Sequence, residues 1–202
     1  MSSAELLDTS PTDSNDVGCD TPKTAVKRTM FQESIEVQLQ QNPTFLKFNY
    51  GLFSAQEMFQ LTSTILTSPS CTVRYLDLIG NRLGDAGVNT IAESLKTNTT
   101  INYLNLSMND ISSDGVKNMC DVLSNKTRTD TNRSLEHLDL SINRLGDAGV
   151  ACILEMLRNN DTLITINLRS NKVKSQQGVN CLLEIAALTK ISDDSILKDV
   201  FV

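Results

Sequence analysis

One histidine, His137, and five cysteines, at positions 19, 71, 120, 152 and 181, are the residues of this chain best suited to nucleophilic or metal chemistry. A Ser/His/Asp or Cys/His apparatus needs a base within hydrogen-bond reach of its nucleophile, so any such site would be built around His137. That residue lies beside Leu138 in a run that alternates apolar and polar side chains, which sets it on the outward side of a strand. Zinc needs Cys and His at short regular spacings; there is no Cys-x-x-Cys pair, and no cysteine stands at ligand spacing from His137. Cysteine is readily accommodated in or near a core as a small apolar residue, which is the reading given to Cys120, Cys152 and Cys181. A GxxxxGK[ST] phosphate loop is missing too, the glycines being scattered singly. These residues predict a protein without a catalytic, metal or cofactor site.

Composition narrows the partners. The formal net charge is -6, and aromatic residues make up 4% with no Trp. Duplex binding requires a basic stripe to displace condensed counterions, and single-strand binding leans on stacking aromatics, so nucleic acid is not expected. No stretch approaches the roughly 18 apolar residues of a membrane-spanning helix, and the N-terminus lacks the apolar segment of a secretory signal. The expectation is a cytoplasmic protein whose odd thiol count fits a reducing compartment. Five Asn-x-Ser/Thr triplets, at Asn98, Asn105, Asn125, Asn132 and Asn160, are then read as repeat-junction chemistry and not as glycan sites.

The elements that would position any binding residues come from an internal repeat. The octapeptide NRLGDAGV occurs at 81–88 and again at 143–150. One unit reads Val73, Leu76, Leu78, Asn81, Leu83, Gly87, Val88, Ile91, Leu95, and three more begin at Ile101, Leu135 and Leu163. The spacings are 28, 34 and 28 residues, the longer one taking up a polar stretch at 126–132. Within each unit the L-x-x-L-x-L opening alternates and predicts a short strand with Leu76 and Leu78 inward and Asp77 outward. The following Asn is suited to bond backbone groups from coil to coil. The Gly permits unusual dihedrals or a close approach, and Val88, Ile91 and Leu95 mark one face of a helix. A single unit holds too few core side chains to offset the entropy of ordering it, so the units must stack.

This pattern resembles the leucine-rich-repeat family, and a 28-residue unit with a full helix is similar to its ribonuclease-inhibitor-like subtype. The resemblance implies a right-handed α/β solenoid of four to five strand–helix repeats, with a parallel sheet on the concave face and helices on the convex face. Residues 1–28, rich in Ser, Thr, Asp and Pro, are expected to be an inert disordered tail; Ser10-Pro11 and Thr21-Pro22 fit proline-directed kinases, but such dipeptides are common by chance. The repeat domain is placed at 29–188, with a capping helix over 29–42, a degenerate repeat over 45–72 in which Phe45, Phe48 and Tyr50 take strand positions, and regular repeats from 73. Residues 189–202 read as a C-terminal cap or tail. There Ser192 would cap a short helix covering Ile196, Leu197 and Val200, while Val200-Phe201-Val202 also fits the loose carboxylate ligands of PDZ domains.

Outward strand positions then form three columns: Lys47, Tyr75, Tyr103, His137, Thr165; Asn49, Asp77, Asn105, Asp139, Asn167; and Gly51, Ile79, Ser107, Ser141, Arg169. Tyr75, Asp77, Tyr103, Asn105, His137, Asp139, Asn167 and Arg169 are the expected partner-binding residues, tyrosines offering apolar area and a hydroxyl, carboxylates accepting Arg or Lys from a basic patch. The function expected is a non-catalytic scaffold or adaptor subunit that binds another protein. Similar short repeat proteins occur in cytoskeletal and ciliary complexes, which the resemblance extends to this chain as a setting. Two alternatives stay open: a small-GTPase regulator similar to the GTPase-activating proteins for Ran, and an actin-filament regulator similar to tropomodulin.

Overall fold

Leucines at a fixed interval close the backbone into stacked coils in the computed structural model, which describes residues 23–51, 55–124, 132–188 and 199–201. Helix α1 (Lys23–Gln41) leads into strand β1 (Phe45–Lys47) and helix α2 (Ala55–Leu61), which runs on as a π-helical turn, Thr62–Leu66. Four regular units follow: β2 (Tyr75–Asp77) with α3 (Gly84–Leu95), β3 (Tyr103–Asn105) with α4 (Ser113–Leu123), β4 (His137–Asp139) with α5 (Gly146–Leu157), and β5 (Thr165–Asn167) with α6 (Gln176–Leu188). Strand β6 (Asp199–Phe201) closes a parallel sheet of order β1-β2-β3-β4-β5-β6. Each helix packs on its neighbours along the chain, α3 on α4, α4 on α5 and α5 on α6. The α/β solenoid expected from the repeat is what the chain forms.

Equivalent leucines stack into continuous core columns. Leu46, Leu76, Leu104, Leu138 and Ile166 follow one another through the sheet, and Leu78, Leu106, Leu140 and Leu168 form the next row, all buried. On the helix side Val88, Val116 and Val150 are fully buried, whereas Val179 at the corresponding place in α6 is 41% exposed. Gly178, Cys181 and Ile185 form the buried face of α6 instead. Among the described residues no further helix packs beyond α6, which leaves the side carrying Val179 open.

Between strand and helix, the repeat asparagines do what their side chains predict. Asn109 Oδ1 accepts from the N–H groups of Asn81 (3.0 Å) and Leu83 (3.3 Å), while its Nδ2 donates to the carbonyls of Leu78 (2.8 Å) and Ser107 (3.0 Å). Asn143 repeats this one coil on, accepting from Asn109 and Ile111 and donating to Leu106 and Leu140. Asn81, Asn109, Asn143 and Asn171 are all buried, so each coil supplies partners for backbone groups that water cannot reach. A second asparagine ladder lies at the helix-to-strand junctions: Asn98, Asn132 and Asn160 donate to Leu66, Leu95 and Leu123 carbonyls and accept from the N–H groups of Ile101, Leu135 and Leu163. Three of the five Asn-x-Ser/Thr triplets are this ladder.

The glycines divide by role. Gly84 and Gly146 enter the helices at φ of 58° and 60°, the left-handed region that glycine adopts without a Cβ penalty. Gly115 and Gly178 instead permit close approach. A Cβ on Gly115 would fall 2.9 Å from the Asp85 backbone, and one on Gly178 would meet the carboxylate of Asp147. Those two aspartates are used by the next coil: Asp85 accepts from Ser112 N and Oγ, and Asp147 from the N–H groups of Lys174 and Ser175.

Four details depart from the sequence reading. Helix α1 starts at Lys23, so the boundary expected at 28/29 falls inside it; residues 1–22, with both Ser/Thr-Pro dipeptides, lie outside the described residues. In the first repeat the register is Phe45↔Tyr75 and Lys47↔Asp77, two residues from the expected frame. Leu46 and Phe48 take the buried positions and Tyr50 is 61% exposed, because without the Asn marker only the Leu46-x-Phe48 alternation fixes the frame. Val200 belongs to a strand and not to a helix: β6 pairs with β5, and Leu168 N–H donates to the Phe201 carbonyl at 2.6 Å. Ile196 and Leu197 lie outside the described residues.

Candidate partner-binding face

On the sheet face away from the helices, the outward side chains fall in columns because parallel strands in register set equivalent residues side by side. The first column is an aromatic ladder. Phe45 stacks on Tyr75 with ring centroids 4.5 Å apart, Tyr75 on Tyr103 at 4.1 Å, and Tyr103 meets His137 at 6.0 Å with the rings tilted. Such pairs contribute about 0.5–1.5 kcal/mol each beyond their area, so the ladder is rigid as well as apolar. Burial and a hydrogen bond with Tyr103 push the Tyr75 phenol above the ordinary tyrosine range and keep it neutral. His137 continues the column, its Nδ1 2.8 Å from Thr165 Oγ1 and its Nε2 4.0 Å from Glu136.

The second column is polar and largely self-satisfied. Asp77, expected to be outward and free, is 4% exposed: its carboxylate accepts from Ile79 N–H at 3.2 Å and lies 3.6 Å from Lys47 Nζ. The register shift that brings Lys47 beside it, with Tyr75 adjacent, covers what alternation alone would leave open. Asn105 Oδ1 caps Ser107 N–H at 3.0 Å. Asp139 accepts from Ser141 N–H (2.8 Å) and Oγ (2.6 Å) with one oxygen and from Asn167 Nδ2 (2.9 Å) with the other. Asn167 Oδ1 accepts from Arg169 N–H, and the Arg169 guanidinium stands over the Phe201 ring, 5.0 Å from its centroid.

The eight predicted residues therefore share one face, but not one role. Tyr103, His137, Asp139 and Asn167, with Leu138, Thr165 and Phe201, line a cavity of about 200 Å³ at its C-terminal half. Tyr75 is the centre of the stack and Asp77 is a buried tie. Phe45 and Phe201 were missed. Phe45 was legible from the Leu46-x-Phe48 alternation, while Phe201 carries no repeat signal and joins the face only because β6 pairs there.

No group of three or more His, Cys, Asp or Glu side chains able to hold a metal ion occurs among the described residues. No helix there is long and apolar enough to cross a membrane. On the helix side Cys120 and Cys181 are buried and Cys71 and Cys152 half-buried. A hydrogen bond with Cys120 brings the Cys152 thiol down to about 7 against the opposing effect of burial, and Cys120 is raised in turn.

The family model for the Leucine Rich repeat matches residues 70–92, 97–120 and 131–154, three segments that each carry one strand and most of its helix. These three segments are leucine-rich repeats. A curated relative, the NACHT, LRR and PYD domains-containing protein 14 of Mus musculus, is 40% identical over 60 residues. That match takes in 30% of this chain and only 6% of the mouse protein, so it speaks for the repeat and not for the whole relative. Among solved structures, the leiomodin-1 actin-binding site 2 domain aligns over 80% of this chain and 88% of its own length, with a TM-score of 0.63 and 22% identity. At that identity the likeness is one of fold.

Proposed function

We propose that this leucine-rich-repeat chain is a non-catalytic protein-interaction module, a scaffold or adaptor subunit of a cytoplasmic assembly, which docks a partner segment along its sheet face. The continuous ladder Phe45–Tyr75–Tyr103–His137 carries this reading. Rigid rings lose little entropy on binding, and interface anchors are drawn from such residues. With Asp139 and Glu136 beside the ladder, and Thr165 and Asn167 supplying polar contacts, the face suits a segment bearing Arg or Lys.

The test follows the exposure of each residue. Asp77 and Tyr75 hold the fold, so changes there report on folding. Tyr103→Ala with His137→Ala and Asn167→Ala, against wild type in affinity purification read by mass spectrometry, should lose the bound protein while the protein stays folded by circular dichroism. A partner retained by the folded triple variant would remove the sheet face from consideration.

A second reading, actin regulation in a cytoskeletal setting, is favoured by the fold shared with the actin-binding site 2 domain of leiomodin-1. Pyrene-actin assembly in the presence of the chain separates the two: altered kinetics, abolished by the same triple variant, would make actin the partner.

A further inference from the structure

At each strand exit, two residues after the second inward apolar position, the chain turns through the left-handed region. Tyr50, Gly80, Met108, Ile142 and Ser170 hold φ of 54°, 71°, 57°, 53° and 59°. Their N–H groups continue the sheet ladder, those of Tyr50, Gly80, Met108 and Ile142 bonding to the carbonyls of Ile79, Ser107, Ser141 and Arg169. Glycine is at ease there, and Asn or Asp can be accommodated; a β-branched residue is an outlier. This chain nevertheless places Tyr, Met and Ile at three of the five, with 61%, 39% and 52% exposure. The fold does not need those side chains, because Gly80 and Ser170 make the same turn in the same molecule.

Two unfavourable features, backbone strain and apolar exposure, thus coincide along one edge. The three side chains form a row. The Tyr50 ring lies over Gly80, occupying the space a Cβ there would need, and its hydroxyl reaches Met108 Sδ at 3.9 Å. Tyr50, Gly80, Arg82, Met108, Asp110 and Ile142 together line a cavity of about 410 Å³. Asp110 is neutralised by Arg144 at 2.8 Å, which leaves the exposed Arg82 as the uncompensated charge of this lining. Strands about 4.8 Å apart give the row a reach of roughly 14 Å from Tyr50 to Ile142, the length of some ten helical residues.

We propose that this strand-exit row is a second docking surface, separate from the aromatic face, and that it takes a short amphipathic segment of another protein with apolar anchors and an acidic flank. The apolar anchors cover Tyr50, Met108 and Ile142, and a carboxylate pairs with Arg82. The proposal does not depend on what binds the sheet face.

The probe is a phage-displayed random peptide library selected on the full chain. Selected peptides should combine Leu, Ile or Phe with Asp or Glu, and lose affinity about tenfold or more for Tyr50→Asn/Met108→Asn/Ile142→Asn. They should keep affinity for Tyr103→Ala, and Arg82→Glu should reverse their charge preference. Ile142→Asn alone should raise the melting temperature by a few degrees while weakening the peptides, which separates loss of binding from loss of fold. Peptides rich in Lys or Arg, or peptides held equally by the triple variant, would overturn the proposal. So would a concentration-dependent dimer in sedimentation that Ile142→Asn abolishes, since a second copy would then occupy the row.

Discussion

Replacing Asn109 by alanine deletes one oxygen and one amide nitrogen from the middle of the strand-exit ladder, and the surrounding bonds set the cost. The oxygen serves the N–H groups of Asn81 and Leu83, at 3.0 and 3.3 Å. The two carbonyls that lose Nδ2 keep other donors, Leu78 from Asn81 Nδ2 at 2.8 Å and Ser107 from Gly80 N–H at 3.0 Å. The loss is therefore two orphaned N–H groups at a site with no exposure, each costing about 1–3 kcal/mol. That sums to about 2–6 kcal/mol, a large part of the roughly 5–15 kcal/mol typical of a folded domain. At the end of the ladder Asn171 Oδ1 accepts, among the described residues, from Leu145 N–H alone, at 3.5 Å, so Asn171→Ala should cost about 1–2 kcal/mol. Urea unfolding followed by circular dichroism should show the Asn109→Ala midpoint lowered by about 1–3 M, for a slope near 2 kcal/mol/M. Amide exchange should accelerate first at Asn81 and Leu83. If Asn109→Ala costs no more than Asn171→Ala, the ladder does not carry the coil-to-coil cohesion assigned to it.

Four further outcomes are expected. Gly115→Ala drives a Cβ into the Asp85 backbone and should cost about 1–3 kcal/mol in urea unfolding, by overpacking. Gly84→Ala, where space is open but φ is 58°, should cost about 1–2 kcal/mol through backbone strain alone. Cys152, brought down to about 7 by the Cys120 thiol, should be alkylated by iodoacetamide at neutral pH ahead of Cys181; Cys120→Ala should move the midpoint of its rate–pH profile upward. Hydrogen bonds from the Lys174 and Ser175 N–H groups hold the Asp147 carboxyl below the usual carboxylate range. A lowered folded value means stability that is present above the unfolded pKa of about 3.9 and lost as pH falls through the folded one. Urea midpoints measured down to acid pH should therefore fall less steeply for Asp147→Asn than for wild type in that window.

Periodicity made most of the fold readable before any coordinates, because a stacked coil repeats its local chemistry. Leu76, Leu78, Asn81, Leu83, Val88 and Ile91 recur in type and order, and each requirement they express is met by a neighbour one repeat away. The asparagine ladder followed from amide chemistry, and the placement of Tyr103, His137, Asp139 and Asn167 on one face followed from strand alternation. Where a marker was missing the frame slipped: without an Asn in the first repeat, the short Leu46-x-Phe48 alternation was the one local signal left to set it.

Tertiary structure decided what pairs with what. Asp77 is tied into an ion pair because Lys47 of the previous coil lands beside it, and Tyr75 is a stacking element only because Phe45 and Tyr103 arrive on either side. Phe201 joins the face through the pairing of β6 with β5, a contact between segments that share no repeat. The strand-exit row was equally invisible, since a left-handed φ at Ile142 belongs to the path of the coil and not to isoleucine, whose own preference opposes it. Sequence determines the period and the inward side chains, because these are local; exposure on the outer faces is set by neighbours the chain meets only after it has coiled.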